Sequence, residues 1–540
     1  MKYFLKNLEI LDISGFFVII MTMENIKILA PKADKDNIIL EQKNRIKELE
    51  MLVKYYEEQL LLSKKIKFAS SSEKSKYDAF QLLLEGCEAP EVAEELKDEM
   101  IETPVKEHRR QKRLRKDSLP ENVPVEEILC DLPEDASCPK CSNKMHVMGH
   151  ESSEEWVIEP AKVKIRKYVM PTLSCRECEK SPEGATILKT KRPACVIKGS
   201  VASPESIAYA AYQKFVMGVP LYRQEQDWKR QGVFLSRQTL SNWLIEATEL
   251  WLQPIFDELK RRLLLSKVLH GDETTFQVLK EPGKKPQSKS YLWVYRTSGD
   301  TPEPIVIAEY IPDRRSINPK NFLKGYSGYL HADGYDAYHK LPDEITVVGC
   351  WAHVRRKFND ALKAIAEKDR PGTDAMIGKR FCDELFRVER ELAELDADKR
   401  HAGRLEKLKP IVGEFYNWAG KVVINPTSTL GKAVAYMFSQ REYLENVFLD
   451  GRLELSNNRA ERTIKPFVIC RKNFLFANTP RGANCAATMF SIIETARETG
   501  VNPLDYLTYV LQAAPTLDMT NAENLALLSP HGYKKKSLQT

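Results

Sequence analysis

Apolar side chains early in the chain recur at Ile39, Ile46, Leu49, Val53, Tyr56 and Leu60, in steps of seven, three and four residues with Glu and Lys between them. This spacing keeps one stripe of a helix apolar, and it predicts either a short coiled coil joining two chains or an amphipathic helix packed on its own chain. Further on, Glu155 to Ile158 and Val163 to Val169 alternate as strands do. Between Pro204 and Leu252 lie three helical patterns: the second, around Tyr222 to Gln231, stops at Gly232, and the third starts after Ser236, a good N-cap.

From Val268 the period shortens from helical to alternating. Val268 to Leu279, Tyr291 to Arg296 and Ile305 to Tyr310 read as strands separated by turn-rich segments, Glu281-Pro282-Gly283 and Thr297-Ser298-Gly299-Asp300. A short helix at Pro319 to Leu323 precedes a strand at Tyr329 to Asp333. A helix at Tyr335 to Leu341 then leads to a strand at Ile345 to Cys350 and a long helix from Trp351. Three strands, helix, strand, helix, strand, helix is the element order of a ribonuclease-H-like α/β core. In that layout the first strand is central and the fourth lies beside it. Leu362 to Glu367, Ala375 to Ala397 and Arg404 to Ala419 read as helices, which predicts an α-helical insertion at about residues 360–440.

The expected organisation is a leader over 1–36, a coiled coil and acidic linker over 37–105, and a basic linker over 106–128. A zinc-binding domain follows at 129–196, a helix-turn-helix-like region at 197–260, the core at 261–500 and a helical tail at 501–540. A chain of 540 residues accommodates several such units. The only membrane-like stretch, Ile13 to Met23, is about half of a spanning length. It reads as a targeting segment or as residues ahead of a natural start at Met21 or Met23, and the expectation is no membrane and a cytoplasmic location.

Charge and cysteines change the picture next. With 82 Lys+Arg against 76 Asp+Glu the net charge is only +6, so nucleic-acid affinity has to come from local clusters. One such cluster is Lys106 to Lys116, with Arg109, Arg110, Lys112 and Arg113 at its centre, which reads equally as a solvated linker or a phosphate-tracking arm. The third helix of the 204–252 region presents Arg237 and Gln238 as helix-turn-helix contacts or, on the plainer reading, belongs to a bundle bracing the next domain. Cys138-Pro139-Lys140-Cys141 and Cys175-Arg176-Glu177-Cys178 are two C-x-x-C knuckles joined by strand-like residues. This is a spacing suited to one tetrahedral Zn²⁺, with His146 and His150 as substitutes.

The candidate chemistry rests on three carboxylates. Asp272 stands on the first strand in His270-Gly271-Asp272-Glu273, Asp333 ends the fourth in His331-Ala332-Asp333-Gly334, and Glu461 lies in Asn457-Asn458-Arg459-Ala460-Glu461-Arg462. Three converging carboxylates can hold two Mg²⁺ ions for phosphodiester chemistry. Glu273 is expected on the opposite strand face by alternation, and Asp336 at a helix start. Asn458 to Glu461 also has capping-box spacing, and Glu454 is the next candidate for third ligand. Arg459, Arg462, Lys465, Arg471, Lys472 and Arg481 surround the last acid as prospective DNA-backbone contacts. Cys350 and His353 form a C-x-x-H pair read as packing plus a DNA contact by His353 or Arg355, a metal half-site being the other reading.

Taken in order, several motifs resemble those of the insertion sequence 66 family of bacterial transposases over nearly the whole chain. They are Lys67-Phe68 with Ser71-Ser72-Glu73-Lys74, both cysteine knuckles, Gly271-Asp272-Glu273-Thr274, and Asp333-Gly334-Tyr335 with Tyr338. Cys350-Trp351-Ala352-His353-Val354-Arg355-Arg356-Lys357-Phe358, Asn457 to Arg462, Arg471 to Phe476, Glu494-Thr495-Ala496 and Pro503 to Leu507 continue the series. Ser456 and Ala69 depart from the pattern, where Asp and Gly are expected. The resemblance implies a D-D-E transposase with Asp272, Asp333 and Glu461 as its triad, an N-terminal zinc region and a helical tail. It also implies terminal-repeat and target DNA as partners, nucleoid association when bound, a homo-oligomer, and small accessory proteins of the same element. The rival expectations are a nuclease or resolvase of the same fold, and an inactive zinc-containing DNA-binding regulator.

Overall fold

The structure, a computed structural model, describes residues 32–68, 161–174 and 187–538. The stretch Ile13 to Met23, the Lys106 to Lys116 arm, the strand expected at Glu155 to Ile158 and all four knuckle cysteines lie outside the described residues.

Helix α1 (Lys32–Phe68) is a single helix of 37 residues. Its stripe is unburied: Ile39, Ile46, Leu49, Val53, Tyr56 and Leu60 are all exposed among the described residues. Strands β1 (Thr172–Ser174) and β2 (Ile187–Lys189) form an antiparallel pair. The strand expected at Val163 to Val169 does not form. Ile165 and Val169 are exposed there, and among the described residues no strand pairs with this backbone.

The next helices are α2 (Pro204–Phe215), α3 (Leu221–Arg230), α4 (Arg237–Ala247) and α5 (Gln253–Leu263). Ser203 and Ser206 close a reciprocal cap on α2, and Ser236 accepts from the Thr239 amide to start α4. Gly232, at φ +81°, turns the chain between α3 and α4, a left-handed conformation that favours glycine. Helix α4 buries Leu240, Trp243 and Leu244 and leaves Arg237 and Gln238 exposed.

The core is a mixed five-stranded sheet built from β3 (Val268–Gln277), β4 (Lys289–Thr297), β5 (Val306–Ile311), β6 (Gly328–His331) and β7 (Ile345–Val348). Its order is β5-β4-β3-β6-β7, with β3 antiparallel to β4 and parallel to β6. Strand β3 is therefore central and buried on both sides, and its register pairs Asp272 with Val294 and His270 with His331. The open edge of β5 is covered by α14 (Pro480–Glu498). There the Val306 and Ala308 amides donate to the hydroxyls of Thr495 (3.0 Å) and Ser491 (2.7 Å), which satisfies backbone groups that an uncovered edge would leave open.

Between β5 and β6 runs the short α6 (Ile317–Phe322). The helix expected at Tyr335 to Leu341 is instead a run of turns, with Tyr338 N bonded to the Tyr335 carbonyl and Leu341 N to that of Tyr338. Pro342 disfavours a helical Leu341, and the Tyr335 hydroxyl is engaged by the Arg314 carbonyl, so the segment is pinned before a helix can propagate.

After β7, α7 (Trp351–Lys363) leads into α8 (Asp374–Leu392), α9 (Ala397–Gly403), α10 (Lys409–Ala419), α11 (Thr429–Ser439) and α12 (Arg441–Glu445). These helices gather around a second apolar core of Trp351, Phe358, Leu385, Phe415 and Met437. The chain then re-enters the sheet region through α13 (Asn458–Phe474), and after α14 it ends in α15 (Pro503–Ala513), α16 (Ala522–Leu528) and α17 (Pro530–Ser537).

Candidate active site

Asp272 lies midway along the central strand, partly buried, with one carboxylate oxygen accepting from the Glu273 amide at 2.8 Å. Burial pushes its pKa well up, and the negative charges of Glu273, Asp333 and Glu461 push it further. Asp333 sits just past the end of β6, where its Oδ1 accepts from the Tyr335 amide at 3.0 Å. Glu461 lies in the first turn of α13. From a strand, a strand end and a helix start, the charges of Asp333 and Glu461 both reach Asp272, although 127 residues lie between Asp333 and Glu461 in sequence.

Alternation sends Glu273 to the face of its cross-strand partner Trp293. It is not idle there: its side chain is 2% exposed, Arg314 grips one oxygen (Nε at 2.7 Å), and the Tyr338 hydroxyl donates to the other at 2.7 Å. Burial and the charge of Asp333 raise its pKa, while Arg314 and Tyr338 oppose them. Arg314 also lies over the Tyr335 ring at 3.8 Å, which braces the turn after Asp333.

The start of α13 is positioned by groups that the carboxylate pattern did not reveal. Asn457 is the N-cap, and its side chain does not cap the helix. Instead Nδ2 donates to the Gly271 carbonyl at 2.9 Å, and Oδ1 lies 3.0 Å from His270 Nδ1. The capping-box reading of Asn458 to Glu461 is therefore not realised, because the buried Asn457 is used as a clasp to β3 rather than as a cap. His270 and His331 stack at 4.4 Å, and His331 Nε2 accepts from the Glu454 amide at 3.1 Å. Burial and the neighbouring His270 hold the His331 pKa well below its usual value, which keeps the ring a neutral acceptor. Glu454, the other candidate for third ligand, pairs with Arg459 (2.6 Å) and accepts from the Gly299 amide (3.3 Å). The signal that could have found this clasp is the repeated His-x-Asp of residues 270–272 and 331–333.

Helix α7 contributes the other wall. Arg356 Nη2 donates to Glu461 Oε2 at 3.1 Å, and His353 Nδ1 stands 3.8 Å from Glu461 Oε1. Cys350, buried at the helix start, accepts from the Asn457 amide at 3.1 Å. Burial pushes the Cys350 thiol up to about 12 and His353 down to about 4. Cys350, His353 and Glu461 present ligand atoms within 4.8 Å of one another, so the C-x-x-H pair is not a half-site without a complement.

Several cations expected to face DNA are engaged inside the chain. Arg471 bonds the Thr275 carbonyl and the hydroxyls of Thr274 (3.3 Å) and Thr275 (3.0 Å), and burial lowers its pKa, so it staples α13 to β3. Arg355 pairs with Asp383 at 2.7 Å, joining α7 to α8, and Arg481 pairs with Glu249 at 2.6 Å. His353 faces Glu461 rather than the open surface. Arg462 and Lys472 are exposed on α13, as are Arg237, near the Tyr222 ring, and Gln238, which donates to Asn242 at 2.9 Å. Arg109, Arg110, Lys112, Arg113, Cys138, Cys141, Cys175 and Cys178 lie outside the described residues.

Residues 199–485 match the family model described as "Transposase IS66 family". Residues 135–179 match "zinc-finger binding domain of transposase IS66", residues 55–128 "Transposase C of IS166 homeodomain" and residues 491–531 "IS66 C-terminal element". The uncharacterized protein y4qI of Sinorhizobium fredii is 32% identical over 380 residues, 68% of each chain. A second uncharacterized protein of that organism, y4hP, is 30% identical over 441 residues, 78% of this chain and 77% of its own.

Proposed function

Because the chain belongs to the transposase IS66 family, we propose that it cuts the ends of an insertion sequence and joins them to target DNA, with Asp272, Asp333 and Glu461 as the catalytic carboxylates of a ribonuclease-H-like core. The observation that supports this reading is that the charges of Asp333 and Glu461 both reach Asp272 on the central strand. Burial, and then the charges of Glu273, Asp333 and Glu461, raise the pKa of Asp272, a penalty that a bound cation would relieve. Hard oxygen ligands of this kind fit Mg²⁺. Held by Asp272, Asp333 and Glu461, two such ions would supply a lowered pKa at the attacking oxygen and charge stabilisation at the phosphate.

The protein's own residues supply position. Arg356 holds one oxygen of Glu461 while the other faces His353, and Asn457 ties the helix start to the strand of Asp272. Arg314 and Tyr338 fix Glu273 behind them. In the first step a water oxygen attacks phosphorus and the bond to the 3′ oxygen breaks, leaving a 3′-OH. In the second, that hydroxyl attacks a target phosphate, a new P–O bond forms and the target's own 3′ oxygen leaves. Pre-organised carboxylates and a fixed backbone path suit such in-line displacement.

The other regions are read from the same family. The zinc-finger domain at residues 135–179 supports zinc, and we assign the ion to Cys138, Cys141, Cys175 and Cys178. That domain, α3–α4 with Arg237 and Gln238, and the arm of Arg109, Arg110, Lys112 and Arg113 would recognise terminal repeats. Arg462 and Lys472 would meet the backbone near the acids. Pairing of α1 between chains, small accessory proteins of the element and a cytoplasmic, nucleoid-bound location complete the proposal. Among the described residues no helix is long and apolar enough to cross a membrane.

Incubating the protein with labelled pre-cleaved terminal DNA, target DNA and Mg²⁺ tests the reading. Joined product supports a transposase; cleavage without joining identifies a nuclease or resolvase, and binding alone a regulator.

A further inference from the structure

Beside the three acids lies a second set of ligand atoms of different chemistry. Cys350 is the N-cap of α7, His353 lies in its first turn, and Glu461 is in the first turn of α13, so two helix starts aim a thiol, an imidazole and a carboxylate at one point. Cys350 Sγ, the nearer His353 ring nitrogen and a Glu461 oxygen all lie within 4.8 Å of one another. His353 Nδ1 and Glu461 Oε1, 3.8 Å apart, are both buried, and neither has a hydrogen-bond partner among the described residues. Polar atoms buried in this state are uncommon, because each forfeits its hydration without compensation. Two of them facing each other beside a cysteine sulfur call for a third party.

We propose that Cys350, His353 and Glu461 bind one borderline-soft divalent cation of the Zn²⁺ type, at a site separate from residues 135–179, and that filling it withdraws Glu461 from Asp272 and Asp333. The second half rests on the reading of Glu461 given above; the first half does not.

The dimensions suit the ion. Ligands bonded to tetrahedral zinc at about 2.0–2.3 Å stand roughly 3.4–3.7 Å apart, so the His353 and Glu461 atoms are already at near-bonding separation and the sulfur needs a shift of about 1 Å. The donor set selects the metal: a thiolate and an imidazole favour zinc, cobalt or cadmium over magnesium, which prefers oxygen alone. Burial raises the Cys350 thiol's pKa, so its ionisation depends on the charge of the bound metal, with two local groups assisting. The Asn457 amide donates to Sγ at 3.1 Å, and the sulfur lies at a helix N-terminus, where negative charge is favoured. On binding, the Cys350 proton passes to solvent and the sulfur–metal bond takes its place. With three protein ligands a fourth position stays open to water.

One neighbour opposes the ion. Arg356 donates to Glu461 Oε2 at 3.1 Å, and its Nη1 lies 3.3 Å from His353 Nε2. Coordination through Nδ1 places the imidazole proton on Nε2, so Arg356 has to leave that edge. Its positive charge therefore sets the affinity, and replacing it by Met should tighten binding.

The test uses the full chain with its zinc-finger region already zinc-loaded, titrated with Co²⁺. The expected result is one further equivalent showing thiolate-to-cobalt charge-transfer absorption. That band should be lost in Cys350→Ala and in His353→Gln and appear at lower Co²⁺ in Arg356→Met, each variant being checked for wild-type circular dichroism. Two separate ligand substitutions keep the test decisive if one of them does not fold. No further equivalent with a thiolate band, or a band that persists in both ligand variants, overturns the site. For the second half, Zn²⁺ added to saturation should abolish Mg²⁺-supported strand transfer by the wild-type protein, and full activity at saturation overturns it. A protein inactive before Zn²⁺ is added would count against the transposase reading, and the cobalt titration would still decide the metal site.

Discussion

The side-chain amide of Asn457 donates to the carbonyl of Gly271 at 2.9 Å, which joins the residue that begins the Glu461 helix to the residue that precedes Asp272. Asn457 is buried, and its other side-chain atom faces His270. Replacing it with Ala leaves buried polar groups without their partners, at about 1–3 kcal/mol each. Urea unfolding of Asn457→Ala at pH 7 should show a loss in that range, and strand transfer should fall further than stability does. A loss below about 0.5 kcal/mol would mean that the clasp is not holding the site.

Glu454 provides a pH test of its structural role. Burial alone would raise its pKa, but the neighbouring His270, 3.6 Å away, and Arg459 outweigh burial and hold the carboxyl below its usual range. A carboxylate depressed in the folded state stabilises the fold above its unfolded pKa of about 4.3, and that stabilisation is lost as pH falls through the folded value. Glu454→Gln should therefore be less stable than wild type at pH 7. The gap should close progressively below about pH 4. A gap independent of pH would show that charge is not the operative property.

Gly334 follows Asp333 where the chain passes against α11. A Cβ there would lie 2.8 Å from two atoms of the Tyr436 side chain, closer than side chains tolerate. Gly334→Ala should cost about 1–3 kcal/mol and reduce strand transfer by displacing Asp333, and Tyr436→Leu in the same chain should restore much of both. Wild-type stability and activity in the single variant would show that the turn has room to spare.

The stripe on α1 is predicted to pair two chains. Leu49→Asp with Val53→Asp places charge in the seam and should lower the mass measured by light scattering, as should a chain beginning at Ser63. An unchanged mass in both would transfer oligomerisation to another surface.

How much of this was legible before the structure depended on whether a residue's role was periodic or positional. The strands β3 to β7 were readable because alternation and turn residues mark them, to within about two residues at either end. The helices α8 and α10 were readable for the corresponding reason. The turns at Tyr335 to Leu341 were not, because a hydroxyl contact to Arg314 and a following proline outweigh local helical pattern. Asp272, Asp333 and Glu461 stood out because carboxylates are scarce on buried elements. Asn457, His270 and His331 did not, because their work is a set of contacts between segments far apart in sequence. Arg471 looked like a surface cation among others, and only its position against β3 shows that it is a staple.

The most direct test of the central claim compares Asp272→Asn, Asp333→Asn and Glu461→Gln in one Mg²⁺-dependent strand-transfer assay, with circular dichroism and terminal-DNA binding measured alongside. Each change keeps the shape of a side chain and removes a charge that would bind metal. The account predicts three folded proteins that bind DNA like wild type and neither cleave nor join it. Strand transfer by Glu461→Gln within a few-fold of wild type, with both aspartate variants inactive, would contradict it, because the third carboxylate would then have to come from elsewhere in the chain.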